Sequence, residues 1–426
     1  MCIVTQMPRT LPLARPMIVA ATLAFAAFGS FWGAWGASIP RVRAQAGLDD
    51  AAFGVALLFI GAGALPAMLL TGRAIDRWGL RVASVAIASL GAAGVVVALV
   101  ARDMVTLSVT LALVGLTSGA SDVAMNSVAG RAERDAGRPI ISRAHGVFSS
   151  FVVIASLGTG LLTDVGTPLV TPFVLVATTA LLAAVLMSRV LPTGPDASAP
   201  APPPIMDDDA RAPALPTLSL IGLGLLGALA FASENAHQSW SAIFATDTLG
   251  ASAAVGAIAP AVFAGVAAIT RFSTGGISAA HARPVVAVGA TAAAAGAVVI
   301  AYSPNLMVAA LGLALAAGGT AVLFPMILSV VSSRVHEAHR GRATSTVSTV
   351  AYLGFLLGPS YVGFWSDAVG LRGAMLAVAS LGALLLLFTP LVRPVVRRSR
   401  SSPQSVPGTA GTSPASVEVG GVDGVQ

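Results

Sequence analysis

The feature that most limits what this chain can become is a series of long apolar stretches punctuated by arginine. They run at about 17–38, 52–72, 82–101, 105–129, 140–163 and 170–190, and again at about 217–245, 253–271, 284–302, 306–331, 343–365 and 373–392. Most have roughly the twenty residues that an α-helix needs to cross a bilayer. In lipid only helices and closed barrels satisfy their own backbone polar groups. The chain is therefore expected to be an all-α integral membrane protein with twelve transmembrane helices. The first stretch, from Met17, is too long for a signal-peptide core and carries no convincing cleavage site.

Between the two groups of six, residues 192–216 hold eight prolines and the run Asp207-Asp208-Asp209. Such a segment cannot bury a core and reads as an extended cytosolic linker. Residues 1–191 then form a first six-helix half, 217–392 a second, and 393–426 a disordered cytosolic tail. An internal repeat agrees with this division. Arg143-Ala144 matches Arg342-Ala343, Gly119 matches Gly318 and Ser149 matches Ser348, all in register with two pseudo-symmetric halves.

Arginine placement gives the orientation. With the N-terminus in the cytosol, the inner segments hold twenty arginines and the outer loops only Arg41, Arg43, Arg102 and Arg372. This asymmetry obeys the positive-inside rule and predicts a protein of the cytoplasmic (inner) membrane with both termini cytosolic. The net charge of +6 is no nucleic-acid signal, because the arginines close apolar runs. With 56% hydrophobic and 10% charged residues, the composition is far from the roughly 25% charged of a soluble domain. Cys2 is the single cysteine, so no intrachain disulfide forms. No phosphate loop, metal-spaced histidine cluster or serine elbow appears. The chain is not expected to be an enzyme or to hold a metal or cofactor.

One carboxylate lies deep in the fourth stretch. Asp122 is nine residues before Arg131, hence roughly 13 Å inside the boundary at about 1.5 Å per residue. An acid there costs about 2.5–3.5 kcal/mol on insertion scales, so such residues usually face a cavity and usually carry function. Gly115, Ser118 and Asn126 share its helical face. A buried acid satisfied by a neighbouring hydroxyl is the plainer reading; a protonatable residue on a transport pathway is the sharper one. Glu234, in the seventh stretch, is the second such acid, with His237 and Ser241 on its face. An internal ion pair that merely holds its helix is the plainer reading here. His145 enters the fifth stretch at a depth similar to Asp122. It reads equally well as a helix-end residue or a coupling partner. Trp32, Trp35 and Trp240 read first as interfacial anchors, and second as stacking platforms for a solute.

The loop Gly72-Arg73-Ala74-Ile75-Asp76-Arg77-Trp78-Gly79-Leu80-Arg81, between the second and third stretches, closely resembles the signature of the major facilitator superfamily. The corresponding loop from Arg271 to Arg283 lacks the acid. The resemblance implies two six-helix halves around a central cavity and transport by alternating access, with Gly72, Asp76, Arg77, Gly79 and Arg81 forming a gating loop. In it Gly72 allows close helix approach, and Asp76 sits against a helix of the other half. A narrower resemblance joins Ser121-Asp122-Val123-Ala124-Met125-Asn126, Glu234-Asn235, Trp240-Ser241-Ala242 and Gly354-Phe355-Leu356-Leu357-Gly358-Pro359 to the branch related to fucose–proton symporters. In that branch a helix-four acid followed four residues later by Asn takes part in proton coupling, and Asp122 and Asn126 occupy those places. Glu234 and His145 are the further candidates for proton coupling; Asn126, Trp32, Trp35, Asn235, His237 and Trp240 are the candidates for the substrate cavity, and Gly354, Gly358 and Pro359 read as a closely packed point of their helix. The acid that sugar symporters carry in their first helix is absent here. The expected protein is a monomeric secondary transporter of a small polar solute, such as a sugar, with protons and the bilayer as partners. Proton-driven efflux of amphipathic compounds, or a non-transporting membrane sensor, are the alternatives.

Overall fold

The structure, a computed structural model, describes residues 11–194, 216–274, 277–335 and 337–392. Linker residues 195–215, expected from their sequence to be extended, and the tail from residue 393, expected to be disordered, lie outside the described residues. Among the described residues, eleven helices are long and apolar enough to cross a membrane. They are α1 (Leu11–Ala46), α2 (Asp50–Trp78), α3 (Val82–Val100), α4 (Met104–Ala136), α5 (Ile141–Asp164), α6 (Val170–Val190), α7 (Thr217–Ile243), α8 (Ile258–Thr274), α9 (Ala282–Ala301), α10 (Leu306–Arg334) and α11 (Glu337–Phe388). A π-turn, Phe244–Thr248, extends α7, and a single turn, Ala253–Gly256, precedes α8.

The last two apolar stretches of the sequence fall within the single element α11. Gly370 breaks this 52-residue element with φ 76° and ψ 166°, a conformation open to glycine and costly for residues with a Cβ. The arms on either side, 337–369 and 371–388, correspond to the last two apolar stretches.

Polar residues set the starts and stops. Asp49 caps α2 by accepting from the Ala52 N–H at 2.7 Å, and Asn305 caps α10 through Val308 at 3.1 Å. Asp103 and Thr106 form a reciprocal capping box at α4, and the hydrogen bonds from Thr106 hold the Asp103 carboxyl below the usual carboxylate range. Gly137, at φ 61°, ends α4 in the left-handed region.

Small residues allow the helices to approach closely, as lipid-embedded helices require in the absence of a hydrophobic drive. α1 packs on α5, α2 on α4 and α3 on α6; α7 packs on α11, α8 on α10 and α9 on α11. Gly354 and Gly358 lie against the backbone of Ala228 and Ala232 on α7, and Gly382 lies against Ala290 and Ala294 on α9. Gly72 behaves otherwise: a Cβ added there would meet nothing within 4 Å, so no close approach depends on it.

One end of the bundle is sewn across. Arg43, at the end of α1, pairs with Asp50 of α2 and with Asp247 beyond α7. Ser366 of α11 donates to the same Asp50. Asp164, ending α5, accepts from Ser252 Oγ and from the Ala254 N–H, each at 3.0 Å. Slightly deeper, Ser360 Oγ donates to the Gly54 carbonyl at 2.7 Å and Ser156 Oγ to that of Ala257 at 3.0 Å.

Candidate functional site: a central cavity with three charged groups

Behind the sewn end lies a cavity of about 360 Å³, walled by α1, α2, α4, α5, α7, α8 and α11. Its size suits a small solute. Much of the wall is aromatic. Phe28 lies 5.8 Å from Phe148 and 6.2 Å from Trp32 between ring centroids, and across the cavity Phe231 lies 5.5 Å from Tyr352. Trp32 and Trp35 both line it.

Asp122 reaches this wall from α4. The helical spacing seen in the sequence has a direct consequence: Asn126, one turn on, donates Nδ2–H to the Asp122 carboxylate at 3.2 Å and to its backbone carbonyl at 2.9 Å. Asn126 holds the acid from behind and is not itself part of the cavity lining. Asp122 has no cationic partner among the described residues. Ser118, a turn earlier, lines the cavity beside it.

Glu234 faces the same space from α7, and its side chain is only 8% exposed. Its carboxylate accepts from Arg271 Nη2 at 2.6 Å and from Gln238 Nε2 at 3.1 Å. The sequence reading placed Arg271 in a topogenic loop. The structure corrects this: α8 continues to Thr274, so Arg271 is a helical residue on the cavity wall. A buried acid needs a partner, and that need is the signal in the sequence that could have led to Arg271. Tyr352, also missed, lies within electrostatic reach of both Asp122 and Glu234.

Other expected site residues fall elsewhere. Asn235 lines the cavity and donates to the Phe355 carbonyl at 2.5 Å. Trp240 is fully buried outside the cavity, packed edge-on against Phe53 and donating Nε1–H to the Pro359 carbonyl at 3.0 Å. His237 is also buried away from it, with Nδ1 2.7 Å from the Ser233 carbonyl and the ring stacked on Phe263. The three-residue spacing was expected to put His237 on the face of Glu234; the cavity arc of α7 instead runs through Phe231, Glu234, Asn235, Gln238 and Ser239, and His237 and Trp240 fall outside it. His145 packs edge-on to Phe25 at 4.9 Å and lies within electrostatic reach of Arg271, with no hydrogen bond to Asp122. The helix α2 runs on to Trp78, so Asp76 lies in its last turn and not in the loop expected there; it is exposed and has no ion-pair or hydrogen-bond partner among the described residues, unlike the docking expected of it. Arg77 lies over Trp78, Arg81 Nε donates to the Leu191 carbonyl at 3.0 Å, and Gly79 turns the chain at φ 78°. No group of acids, histidines and cysteines able to hold a metal occurs among the described residues.

A bundle of long apolar helices enclosing a charged central cavity is the architecture of a solute transporter. The Major Facilitator Superfamily model matches residues 19–281 and again 223–419, and the chain belongs to this family. It is 28% identical, over 380 residues, to an uncharacterised MFS-type transporter of Yersinia pestis, a match covering 89% of this chain and 96% of that one. Its fold is similar to that of a bacterial homologue of the human lysosomal transporter Spinster in an inward-facing, unoccupied conformation (TM-score 0.71, 18% identity, 90% and 97% of the two chains). A crystal structure of a D-xylose–proton symporter is also similar (TM-score 0.68, 15% identity, 88% and 97%). The protein is an integral membrane transporter and not an enzyme.

Proposed function

We propose that this transporter moves a small polar solute, such as a sugar or related compound, together with protons, by alternating access across the inner membrane. The observation that carries this reading is Asp122: a cavity-wall carboxylate held by Asn126, with no cationic partner. Glu234 is already neutralised by Arg271, which leaves Asp122 as the principal proton site, with Glu234 and the nearby His145 in supporting roles. The resemblance of Asp122–Asn126 to the fucose–proton branch points the same way, as does the proton-symport title of the xylose structure.

The two arms of α11 are read here as separate crossings, which gives twelve in two six-helix halves. Support comes from packing that repeats: the first arm meets α7 as α5 meets α1, and the second meets α9 as α6 meets α3. With the cytosolic side at Arg77, as the arginine asymmetry indicates, the sewn end faces outward and the described state is inward-facing. Both termini then lie in the cytosol, and the protein acts as a monomer.

The aromatic wall at Phe28, Trp32 and Phe148 favours a second reading, proton-driven efflux of amphipathic compounds. Inside-out vesicles separate the two through the direction of proton movement when a transported solute is added. Symport predicts that solute and protons leave the lumen or enter it together; opposed fluxes would overturn it. Absence of counterflow for every solute in a broad panel would overturn transport itself.

A further inference from the structure

Arg271 is held at only one of its donors. Nη2 reaches Glu234 at 2.6 Å, and no other hydrogen bond to its guanidinium exists among the described residues, although the group carries five N–H bonds. Its side chain is 44% exposed while Glu234 is 8% exposed, and both residues line the cavity. The same cavity is lined by groups suited to hydroxyls, Gln238, Ser239 and Asn235 from α7 and Tyr352 from α11, and by the flat apolar surfaces of Trp32 and Phe148.

We propose, resting on the transporter reading, that Arg271 is the anchor for a carboxylate on the solute, and that the substrate class is a hydroxylated acid of monosaccharide size. A planar guanidinium matches a carboxylate through two parallel hydrogen bonds. Glu234 orients the fork and leaves its remaining donors to the solute. A solute carboxylate adds negative charge to a cavity that already holds Asp122 and Glu234 against one arginine. A proton on Asp122 offsets that addition and ties solute binding to proton binding.

The test uses purified full-length protein and matched probes: D-glucuronate and D-galacturonate, the neutral D-glucose and D-galactose, and the cationic D-glucosamine. Binding is read from the shift in melting temperature, since a ligand of the folded state must stabilise it, and transport from counterflow in proteoliposomes. The acids are expected to stabilise the wild type and to exchange, with the neutral and cationic probes far weaker. Arg271→Lys keeps the charge without the fork and should weaken acid binding about ten- to a hundredfold. The double variant Arg271→Gln/Glu234→Gln leaves no unpaired buried charge, so it should fold while losing the preference for acids. Glu234→Gln alone should retain that preference. Stabilisation by neutral sugars or glucosamine without the acids overturns the assignment, as does no acid response at all, or equal acid binding by the folded double variant. Counterflow of a neutral sugar in those cases keeps the transporter reading alive while the anion site falls.

Discussion

At the scale of single residues, the chemistry of the cavity rests on how each polar group is partnered. Asn126 illustrates this. Its amide bonds both the Asp122 carboxylate and the Asp122 carbonyl, so Asn126→Ala should loosen the orientation of the acid without emptying the cavity. The expected outcome is a displaced pH profile for uptake with folding intact, checked by pH-dependent transport and melting temperature; an unchanged profile would remove Asn126 from the mechanism. Trp240 is the opposite case. Its indole N–H satisfies the Pro359 carbonyl inside the α7–α11 contact, so Trp240→Phe should cost about 1–3 kcal/mol through the unpaired carbonyl. Melting temperature should fall while the apparent KM for solute stays within about twofold; a large KM change would return Trp240 to the substrate site. The sequence made Asp122 and Glu234 visible because intramembrane acids stand out against apolar surroundings. It could not separate Trp32 from Trp240, since both sit in apolar runs and only the rotation of each helix in the bundle decides which ring meets the cavity.

At the scale of elements, glycine contacts and end-to-end latches dominate. A Cβ on Gly354 would overlap the backbone of Ala228, whereas one on Gly222 would meet nothing within 4 Å. Gly354→Val should therefore force α7 and α11 apart and sharply reduce folded protein in the membrane, while Gly222→Ala stays near wild type. Fluorescence-detected size exclusion of both variants checks this, and equal yields would contradict it. The latch at Arg43 joins α1, α2 and the end of α7. Arg43→Gln should release it and raise labelling, from the Arg43 side, of a cysteine placed at Trp35; unchanged labelling would deny the latch a role in closure. Helix positions were largely legible in hydropathy and capping residues. The latch was not, because Arg43, Asp50 and Asp247 look like ordinary loop charges until three separated helix ends are brought together. Arg271 was hidden for a related reason: an arginine at the end of an apolar run reads as a boundary marker, and only a helix extending past it places it in the wall.

At the scale of the whole molecule, one end of the bundle is held by Arg43, Asp50, Asp247 and Asp164, with the central cavity behind it. The pairings of α1 with α5 and α2 with α4 have counterparts in α7 with α11 and α8 with α10. A proline-rich segment between residues 192 and 216 then needs only reach. Replacing it with a Gly/Ser segment of equal length should preserve transport, and loss of transport with normal insertion would assign the segment a more specific task.

The central claim, that Asp122 carries the coupling proton, is tested most directly by Asp122→Asn in proteoliposomes, with counterflow and pH-driven uptake measured on the same preparation. A neutral side chain of the same shape mimics the protonated, solute-binding carrier. The variant is predicted to exchange solute in counterflow at near wild-type rate and to lose uphill accumulation, because it cannot release a proton and return empty. Full pH-driven accumulation by Asp122→Asn would contradict the account and transfer the coupling role to Glu234.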